Sequence, residues 1–222
     1  MHQVCPILLA GLVVLVSSCS HVYYMPNMQH VPLLEEKGDV SASADLVESE
    51  YSEGFELQGA YAVGDHVAVM GGYTRMFSTE NDLISGRYYE GGAGSYWRFG
   101  KHGIAEAFLN VGSGLISSSQ LTSSFLKFNV QPAIGYTSKN FEAAVAIRLA
   151  RIDISIEDDD RERYFQEDPN VGSWFLIEPG AVIRVGSKNL KLQIQYCRSF
   201  GHEEALLMLR QNFSLGLQFS LK

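Results

Sequence analysis

The sequence predicts an all-β protein: a single antiparallel up-and-down transmembrane β-barrel of about ten strands, within a range of 8–12. Side chains alternate between apolar and polar with a period of two over long stretches, which is typical of β-strands. In the longest stretch, Phe125 to Ile156, two alternating runs flank the turn residues Ser138, Lys139 and Asn140. Tight turns alternate with longer connections along the chain, and nearly all strand charges fall on one parity. Together these patterns predict a barrel that spans a membrane.

The amino-terminal residues predict export and a lipid anchor. Residues 1–18 contain no Asp, Glu, Lys or Arg, and their apolar run, residues 7–16, suits a signal peptide but is too short to span a bilayer. Residues 16–19, Val-Ser-Ser-Cys, resemble the lipobox of bacterial lipoproteins. The resemblance implies a lipoprotein signal peptide over 1–18 and a mature chain anchored at Cys19 by acyl chains such as palmitate. A plain secretory signal with a chance cysteine is the alternative.

Residues 19–38 are expected to form a lipidated N-terminal tether, followed by the barrel domain over 39–222. Pro26, Pro32 and Gly38 interrupt any periodicity in this stretch. The wording of residues 24–38, together with that of residues 54–70, resembles a family of uncharacterised outer-membrane-type β-barrel lipoproteins of Bacteroidota. The resemblance implies a barrel and an outer-membrane address, and it supplies no catalytic residues.

Ten strands are expected near residues 39–48, 54–63, 66–75, 86–99, 103–116, 122–137, 140–156, 173–186, 189–199 and 210–221. Tight turns rich in Gly, Asn and Asp lie at 63–66, 100–103, 138–140 and 186–189. The longer connections lie at 76–85, 157–172 and 200–209. Outer-membrane barrels keep short turns on the periplasmic side and long loops outside. An even number of strands then predicts both termini in the periplasm.

Which face of each strand points outward distinguishes a transmembrane barrel from a water-soluble one. The apolar parity, which includes Val145, Ile194 and Leu217, is expected to face lipid, because a charge there costs roughly 2–4 kcal/mol at mid-depth. The charged parity, with Arg148 and Glu178, is expected to face the lumen. A water-soluble lipocalin-like periplasmic barrel would show the reverse facing. Aromatic residues near the strand ends predict two interface girdles: Tyr61, Trp97, Tyr136, Phe141 and Phe219 near the turns, and Tyr73, Tyr89, Tyr196 and Phe213 near the loops.

The inward polar side chains form the candidate site. A barrel of about ten strands is slightly wider than the eight-stranded size that side chains fill, so a salt-bridged core is expected. A narrow pore for small solutes is the alternative, because Gly92, Gly94, Ala144 and Ala146 leave some room. The predicted lumen network is Glu56, Glu90, Arg98, Glu106, Lys127, Glu142, Arg148, Glu178, Arg184 and Lys191.

Two prolines conflict with a regular barrel. Pro132 and Pro179 each lie inside a predicted strand, where proline removes a ladder hydrogen bond. A closed barrel has no edge at which to place such a residue. A bulge or a strained bond is therefore expected near each of them.

Other chemistry is weakly supported. The net charge of −8 argues against nucleic acid as a partner. Cys197 is left without a cysteine partner in the mature chain and is expected to be a small buried residue. His66 and His102 lie in predicted turns, and His202, in an outer loop, resembles proteolytic outer-membrane barrels only loosely. An outer-membrane hydrolase therefore remains an alternative, with no catalytic residue assigned.

The acidic run at residues 157–168 admits a divalent cation as an alternative to a solvated loop. It lacks the glycine and ligand spacing of an EF-hand, and Arg161 and Arg163 partly neutralise it. No metal and no cofactor is predicted.

The expected role is structural or interactive, in the outer membrane, with its lipid and lipopolysaccharide as partners and the long loops as the contact surface.

Overall fold

The computed structural model of the protein describes residues 22–49, 52–78, 84–118, 122–156, 172–201, 208 and 210–222. Ten antiparallel strands form one closed barrel, in which each strand pairs with the next and the last pairs with the first. The predicted fold class and strand number are confirmed. The strands are β1 (Val40–Ser49), β2 (Ser52–Ala62), β3 (Val67–Ser78), β4 (Ile84–Phe99), β5 (Gly103–Ser118), β6 (Thr122–Thr137), β7 (Phe141–Ile156), β8 (Gly172–Gly186), β9 (Leu190–Arg198) and β10 (Gln211–Leu221).

The two ends of the barrel differ in their connections. Tight turns join β2 to β3, β4 to β5, β6 to β7 and β8 to β9, and this end is called the turn end. The opposite end, called the loop end, carries the connections between the other consecutive strands. Within the described residues, no helix has the length and apolarity to cross a membrane.

The facing of the side chains agrees with the alternation in the sequence. Val145, Ile194 and Leu217 point outward and are 56%, 43% and 52% exposed, whereas Arg148 and Glu178 are fully buried. Because side chains of a strand alternate between its two faces, this facing extends along each strand. The barrel therefore presents an apolar belt outside and a polar wall inside, the reverse of a water-soluble barrel and the arrangement of a transmembrane one.

Aromatic side chains lie toward both ends of this belt. Tyr61, Trp97 and Tyr136 are exposed near the turn end, and Tyr89 and Tyr196 are exposed near the loop end. These positions agree with the expected girdles. Toward the loop end the outward parity also carries charged side chains, namely those of Arg75, Arg87 and Arg151.

The expected bulges at the prolines are absent. The register of β6 against β7 is the same before Pro132 as after it, and β8 pairs with β7 through Pro179 without a shift. The ladder between β6 and β7 is interrupted at residues 131 and 132 and then resumes. Each proline thus removes local hydrogen bonding without inserting an extra residue, so the facing of the strand is preserved.

The largest difference from expectation concerns the supposed tether. Residues 22–35, here called the luminal segment, run through the inside of the barrel, and all of them except Val22 and Glu35 are buried. Near the first residues of β10, the Asn212 side chain donates a hydrogen bond to the Pro26 carbonyl. Beyond its last residue, Lys222 donates to the Glu35 carboxylate at 3.0 Å. The luminal segment therefore runs parallel to β10, from the loop end to the turn end.

The chain then reverses direction to enter β1. Gly38 has a φ of 96°, a left-handed conformation that glycine adopts without strain, and its N–H donates to the Ala62 carbonyl at 2.9 Å. The first described residue, Val22, and the last, Lys222, consequently lie at opposite ends of the barrel. The passage of residues 22–35 through the lumen adds one crossing to the ten strands, which is why these two residues do not share one end. The amino terminus itself, expected on the same side as the carboxy terminus, lies outside the described residues.

The core lies between the luminal segment and the barrel wall. At the loop end, Tyr24 and Met25 pack against Tyr88 and Phe125. Farther along, Val31 and Leu33 pack in a cluster whose other members are Ile104, Ala133, Ala144, Ala146 and Val182. Leu34 packs near the turn end in a cluster with Ala60, Ala62, Ala68, Met70, Tyr96 and Phe108. Small wall residues such as Ala144 and Ala146, expected to leave room for a solute, instead make room for this segment.

Candidate functional site in the barrel lumen

The luminal segment brings backbone N–H and C=O groups into the barrel that no β-ladder pairs. Residues 22–34 contain no charged side chain, and Pro26 and Pro32 lack an N–H group. Apart from the isolated bridge between Tyr24 and Met208, the segment belongs to no β-ladder. Buried N–H and C=O groups without partners are costly, so the wall must supply hydrogen bonds to this backbone.

Side chains of the wall donate to the carbonyls of the segment. Arg148 donates to Asn27 O at 2.7 Å and Arg184 donates to Val31 O at 2.8 Å. The other donors to segment carbonyls are Asn212 to Pro26, Gln58 to Met28 at 3.3 Å, and Gln131 to His30 at 2.7 Å. Five carbonyls between residues 26 and 31 are thus bound by strands from around the barrel. Hydrogen bonds from charged donors are stronger than those from neutral donors, so the two arginines contribute most to holding the segment.

Two carboxylates of the wall accept from the amides of the segment. Met28 N donates to Glu56 Oε2 at 3.0 Å, and Leu33 N donates to Glu106 Oε2 at 3.1 Å. Neither glutamate forms a salt bridge with any described residue, although both were expected to pair with bases. These two carboxylates instead serve the backbone of the luminal segment, in addition to a side-chain bond from Gln58 to Glu56 at 2.7 Å.

A second group of charges is centred on Glu178, which has no exposed surface. Its Oε2 accepts from Arg148 Nε, and Lys127 Nζ lies at 3.4 Å from the same oxygen. Its Oε1 accepts from Tyr24 Oη at 3.1 Å and from Ser199 Oγ at 2.7 Å. One carboxylate thus ties together three strands and the luminal segment, and it balances two buried cations.

A third group is centred on Glu142, closer to the turn end. Glu142 accepts from Arg184 at 3.2 Å, from Lys191 at 3.2 Å and from Lys222 at 3.1 Å. Lys222 also bonds to Glu35, the last residue of the luminal segment. The carboxy-terminal lysine therefore joins the end of the segment to the wall.

The remaining two residues of the predicted network differ from each other. Glu90 is buried and accepts from Tyr88 and Asn129, both at 2.8 Å. Arg98 is at the mouth of the turn end, with its side chain 46% exposed and 3.6 Å from Glu35. Of the ten residues predicted for the lumen, nine are buried inside the barrel and Arg98 lies at its rim.

A cavity of about 520 Å³ opens at the turn end, here called the vestibule. Basic side chains around it outnumber acidic ones by six to three, so it carries positive charge. The basic residues are Arg98, Lys101, Lys139, Lys188, Lys191 and Lys222, and the acidic ones are Glu35, Glu36 and Glu142. Glu142 of the wall and Glu35, the last residue of the luminal segment, both line the vestibule.

Within the described residues, the two histidines expected in turns contact backbone carbonyls, and no metal-binding group is found. His66 Nδ1 lies 3.2 Å from the Tyr96 carbonyl and His102 Nδ1 lies 2.8 Å from the Thr137 carbonyl, so both histidines join turns through backbone oxygen. Across the described ranges, no group of three or more His, Cys, Asp or Glu side chains could hold a metal ion. Cys197 is free and buried, as expected. His202 and the acidic loop at 157–168 lie outside the described residues.

Sequence reasoning missed the luminal segment, although one signal was present. Residues 22–34 lack charge entirely, yet include Asn27, Gln29 and His30 among apolar residues and prolines. A solvated tether more often carries charged side chains, because no packing contacts exclude them from it. An uncharged, proline-containing segment beside a polar barrel wall is suited to an enclosed position.

Neither the protein-family models nor the curated proteins give a match to this chain. Among solved structures, the β domain of the Bordetella autotransporter BrkA is 13% identical, covering 84% of this chain and 100% of that one, with a TM-score of 0.46. The translocator domain of NalP from Neisseria meningitidis is 10% identical, covering 84% and 88%, with a TM-score of 0.45. Ail of Yersinia pestis is 16% identical, covering 83% and 99%, with a TM-score of 0.34. These likenesses are distant, and the assignment of the barrel rests on the strand pairing of the chain itself.

Proposed function

We propose that the protein is an outer-membrane lipoprotein, anchored at Cys19, whose barrel is closed by its own luminal segment and whose role is structural or interactive. The observation that carries the proposal is the passage of residues 22–35 through the lumen. A barrel of this size would otherwise enclose polar space, and the segment occupies it.

The membrane assignment is supported by the outer surface. Leu109, Val145, Phe175 and Leu217 are each about half exposed or more, which is costly in water and favourable in lipid. The neighbouring aromatic girdles suit the two interfaces of a bilayer. Lipid and lipopolysaccharide are the surroundings we propose for this surface, and the loops are the proposed contact surface for protein partners.

The closed lumen favours a structural role over a pore. The polar groups that would line a conduit are engaged instead: Arg148 and Arg184 bind carbonyls of the segment, and Glu56 and Glu106 bind its amides. Opening a path would require breaking these bonds, and a hydrogen bond to a charged group contributes about 1.5–3 kcal/mol net. The segment is therefore a stable closure.

Electrical recording tests the closure. The purified full-length protein, reconstituted in planar lipid bilayers, is expected to give no steady conductance. A variant in which residues 22–34 are replaced by a Gly-Ser linker of equal length keeps the connection to β1 and loses the wall contacts. We expect that variant to conduct, with folding checked by the difference in gel migration between unheated and boiled samples. Steady conductance by the wild type, or a folded linker variant that stays closed, would contradict the proposal.

Two further measurements test the proposed lipid anchor and membrane location. Radiolabelled palmitate should be incorporated by the wild type and by Cys5→Ala, the matched control, but not by Cys19→Ala. The Cys19→Ala protein should nevertheless stay in the membrane after carbonate extraction, because the barrel itself is inserted. Release of that variant into the soluble fraction would favour a lipid-tethered periplasmic barrel instead.

A further inference from the structure

Lysines stand on three of the four tight turns at the turn end: Lys101, Lys139 and Lys188. These turns join β4 to β5, β6 to β7 and β8 to β9, so they follow one another around the barrel. The three lysines therefore occupy one side of the rim and are here called the basic arc. All three are exposed, and all three line the vestibule.

Hydrogen bonds between the turns hold the basic arc in place. Thr137 N donates to the His102 carbonyl at 2.8 Å, which ties the first of the three turns to the second. Gly186 N donates to the Asn140 carbonyl at 3.0 Å, and the Asn140 side chain donates back to the Gly186 carbonyl at 2.7 Å. These two bonds tie the second turn to the third. The basic arc is thus formed before a ligand arrives, which reduces the entropy lost on binding.

The charges of the basic arc are not neutralised by the wall. The salt bridges of the vestibule engage Arg98, Lys191 and Lys222, with Glu35 and Glu142 as their partners. Within the part of the chain that the structure describes, the lysines of the basic arc form no salt bridge. Three positive charges therefore line this mouth in a chain whose net charge is −8. A concave site with charge of one sign attracts ligands of the opposite sign.

The spacing of the basic arc favours an extended ligand. Neighbouring strands lie about 4.8 Å apart, so turns that are two strands apart have their tips about 10 Å apart. One phosphate or carboxylate group cannot contact three lysines that are spread over about 20 Å. The vestibule, at about 520 Å³, lies within the range of about 300–1,000 Å³ that is usual for ligand clefts. The fitting ligand is a chain that carries several anionic groups.

The side of the rim that faces the basic arc is acidic. Glu36 lines the vestibule and directly precedes β1, and β1 and β2 lie across the closed barrel from β6 and β7. A polyphosphate is charged all around and would bring negative groups against Glu36. A peptide can instead present carboxylates to the basic arc and its neutral backbone to the acidic side. This polarity of the rim favours a peptide over a phosphate polymer.

We propose that the vestibule binds an acidic peptide segment of a partner protein, with the carboxylates of the peptide on Lys101, Lys139 and Lys188. Lipid of the surrounding bilayer is a poorer fit, because the vestibule lies inside the ring of turns and lipid contacts the outer face of the strands. The site goes beyond the proposed function, which assigns protein contacts to the loops. Only the location of the partner, in the periplasm, rests on the proposed orientation of the barrel.

Fluorescence anisotropy of a labelled peptide tests the site. The probe is a fluorescein-labelled hexaglutamate peptide, titrated with the purified full-length protein in phosphatidylcholine nanodiscs. Hexaglutamine with the same label is the control probe. The arc variant carries Lys101→Gln, Lys139→Gln and Lys188→Gln, which remove the charges without touching the bonds between the turns. Its folding is checked by the difference in gel migration between unheated and boiled samples.

A matched control variant removes the same charge at the loop end, with Arg75→Gln, Arg87→Gln and Arg198→Gln. We expect the affinity for hexaglutamate to fall about tenfold in the arc variant, because each exposed ion pair contributes a factor of about two to five. The control variant should lose less than about twofold, since it keeps the basic arc. Hexaglutamine should not bind to either variant or to the wild type.

Unchanged affinity in the arc variant, an equal loss in the control variant, or equal binding of hexaglutamine would each overturn the site. Hexametaphosphate is added as a competitor to the wild type. Displacement of the probe at a lower concentration than unlabelled hexaglutamate requires would assign the basic arc to a phosphate polymer and overturn the peptide. These readouts are separate from conductance and palmitate incorporation, so failure of the site is distinguishable from failure of the proposed function.

Discussion

Replacing Glu178 with glutamine tests whether the buried charge cluster stabilises the barrel. Glutamine keeps the size of the side chain and can still bond to Tyr24 and Ser199. It removes the negative charge between Arg148 and Lys127, both fully buried. The variant therefore isolates charge balance from packing.

The expected loss follows from the geometry. At 3.4 Å, the distance from Lys127 Nζ to the Glu178 carboxylate, a unit charge pair at an effective dielectric constant of 20 is worth about 5 kcal/mol. Part of this loss is offset, because a neutral glutamine avoids the cost of desolvating a buried carboxylate. Removing one partner of a buried ion pair typically costs about 3–5 kcal/mol, and Glu178 has two cationic partners. We expect a loss of about 4 kcal/mol in the free energy of unfolding.

Urea unfolding of protein folded into phospholipid vesicles gives the measurement, with the fluorescence of Trp97 and Trp174 as the signal. Glu36→Gln is the matched control, because Glu36 is exposed at the turn end and its loss should change stability by less than about 0.5 kcal/mol. A cost below about 1 kcal/mol for Glu178→Gln, close to that of the control, would refute the claim that this carboxylate balances the lumen.

Three other substitutions address the belt, the segment and the wall. Leu217→Arg puts a charge near the middle of β10 on the lipid face and should cost about 2–4 kcal/mol in vesicles, whereas a neutral effect would argue against burial in lipid. His30→Leu removes two buried ring nitrogens that have no hydrogen-bond partner among the described residues, and it should raise the urea midpoint; a large loss would show that His30 has a partner in the lumen. Gly94→Ala would place a methyl group against the Ala107 carbonyl and should cost about 1–3 kcal/mol, with unchanged stability indicating a looser wall.

The sequence predicts which side chains of the candidate site face the lumen, but not how deep in the barrel each one lies. Parity assigns Arg98 and Arg148 to the same face, and both do lie on the luminal side. Arg148 is fully buried beside Glu178, whereas Arg98 lies exposed at the rim of the turn end. Alternation gives the side of a strand on which a residue lies, while its height in the barrel depends on the register of ten strands together.

The partners of the network were not predictable for a related reason. Glu178 binds Tyr24, which is 154 residues away in the chain, and Gln131 binds the carbonyl of His30, 101 residues away. Glu56 and Glu106, expected to pair with bases, accept from backbone amides instead. Such contacts are made across the lumen, and no spacing along the sequence encodes them.

The sequence alone determined the strands, their turns and the lipid-facing surface, because each follows from local alternation and from turn residues such as Asn140 and Gly100. The tertiary structure alone decided what fills the lumen and at which end the chain enters it. The luminal segment has no period of its own, since its backbone is bound by side chains from strands all around the barrel. Its position therefore exists only once the wall has closed around it.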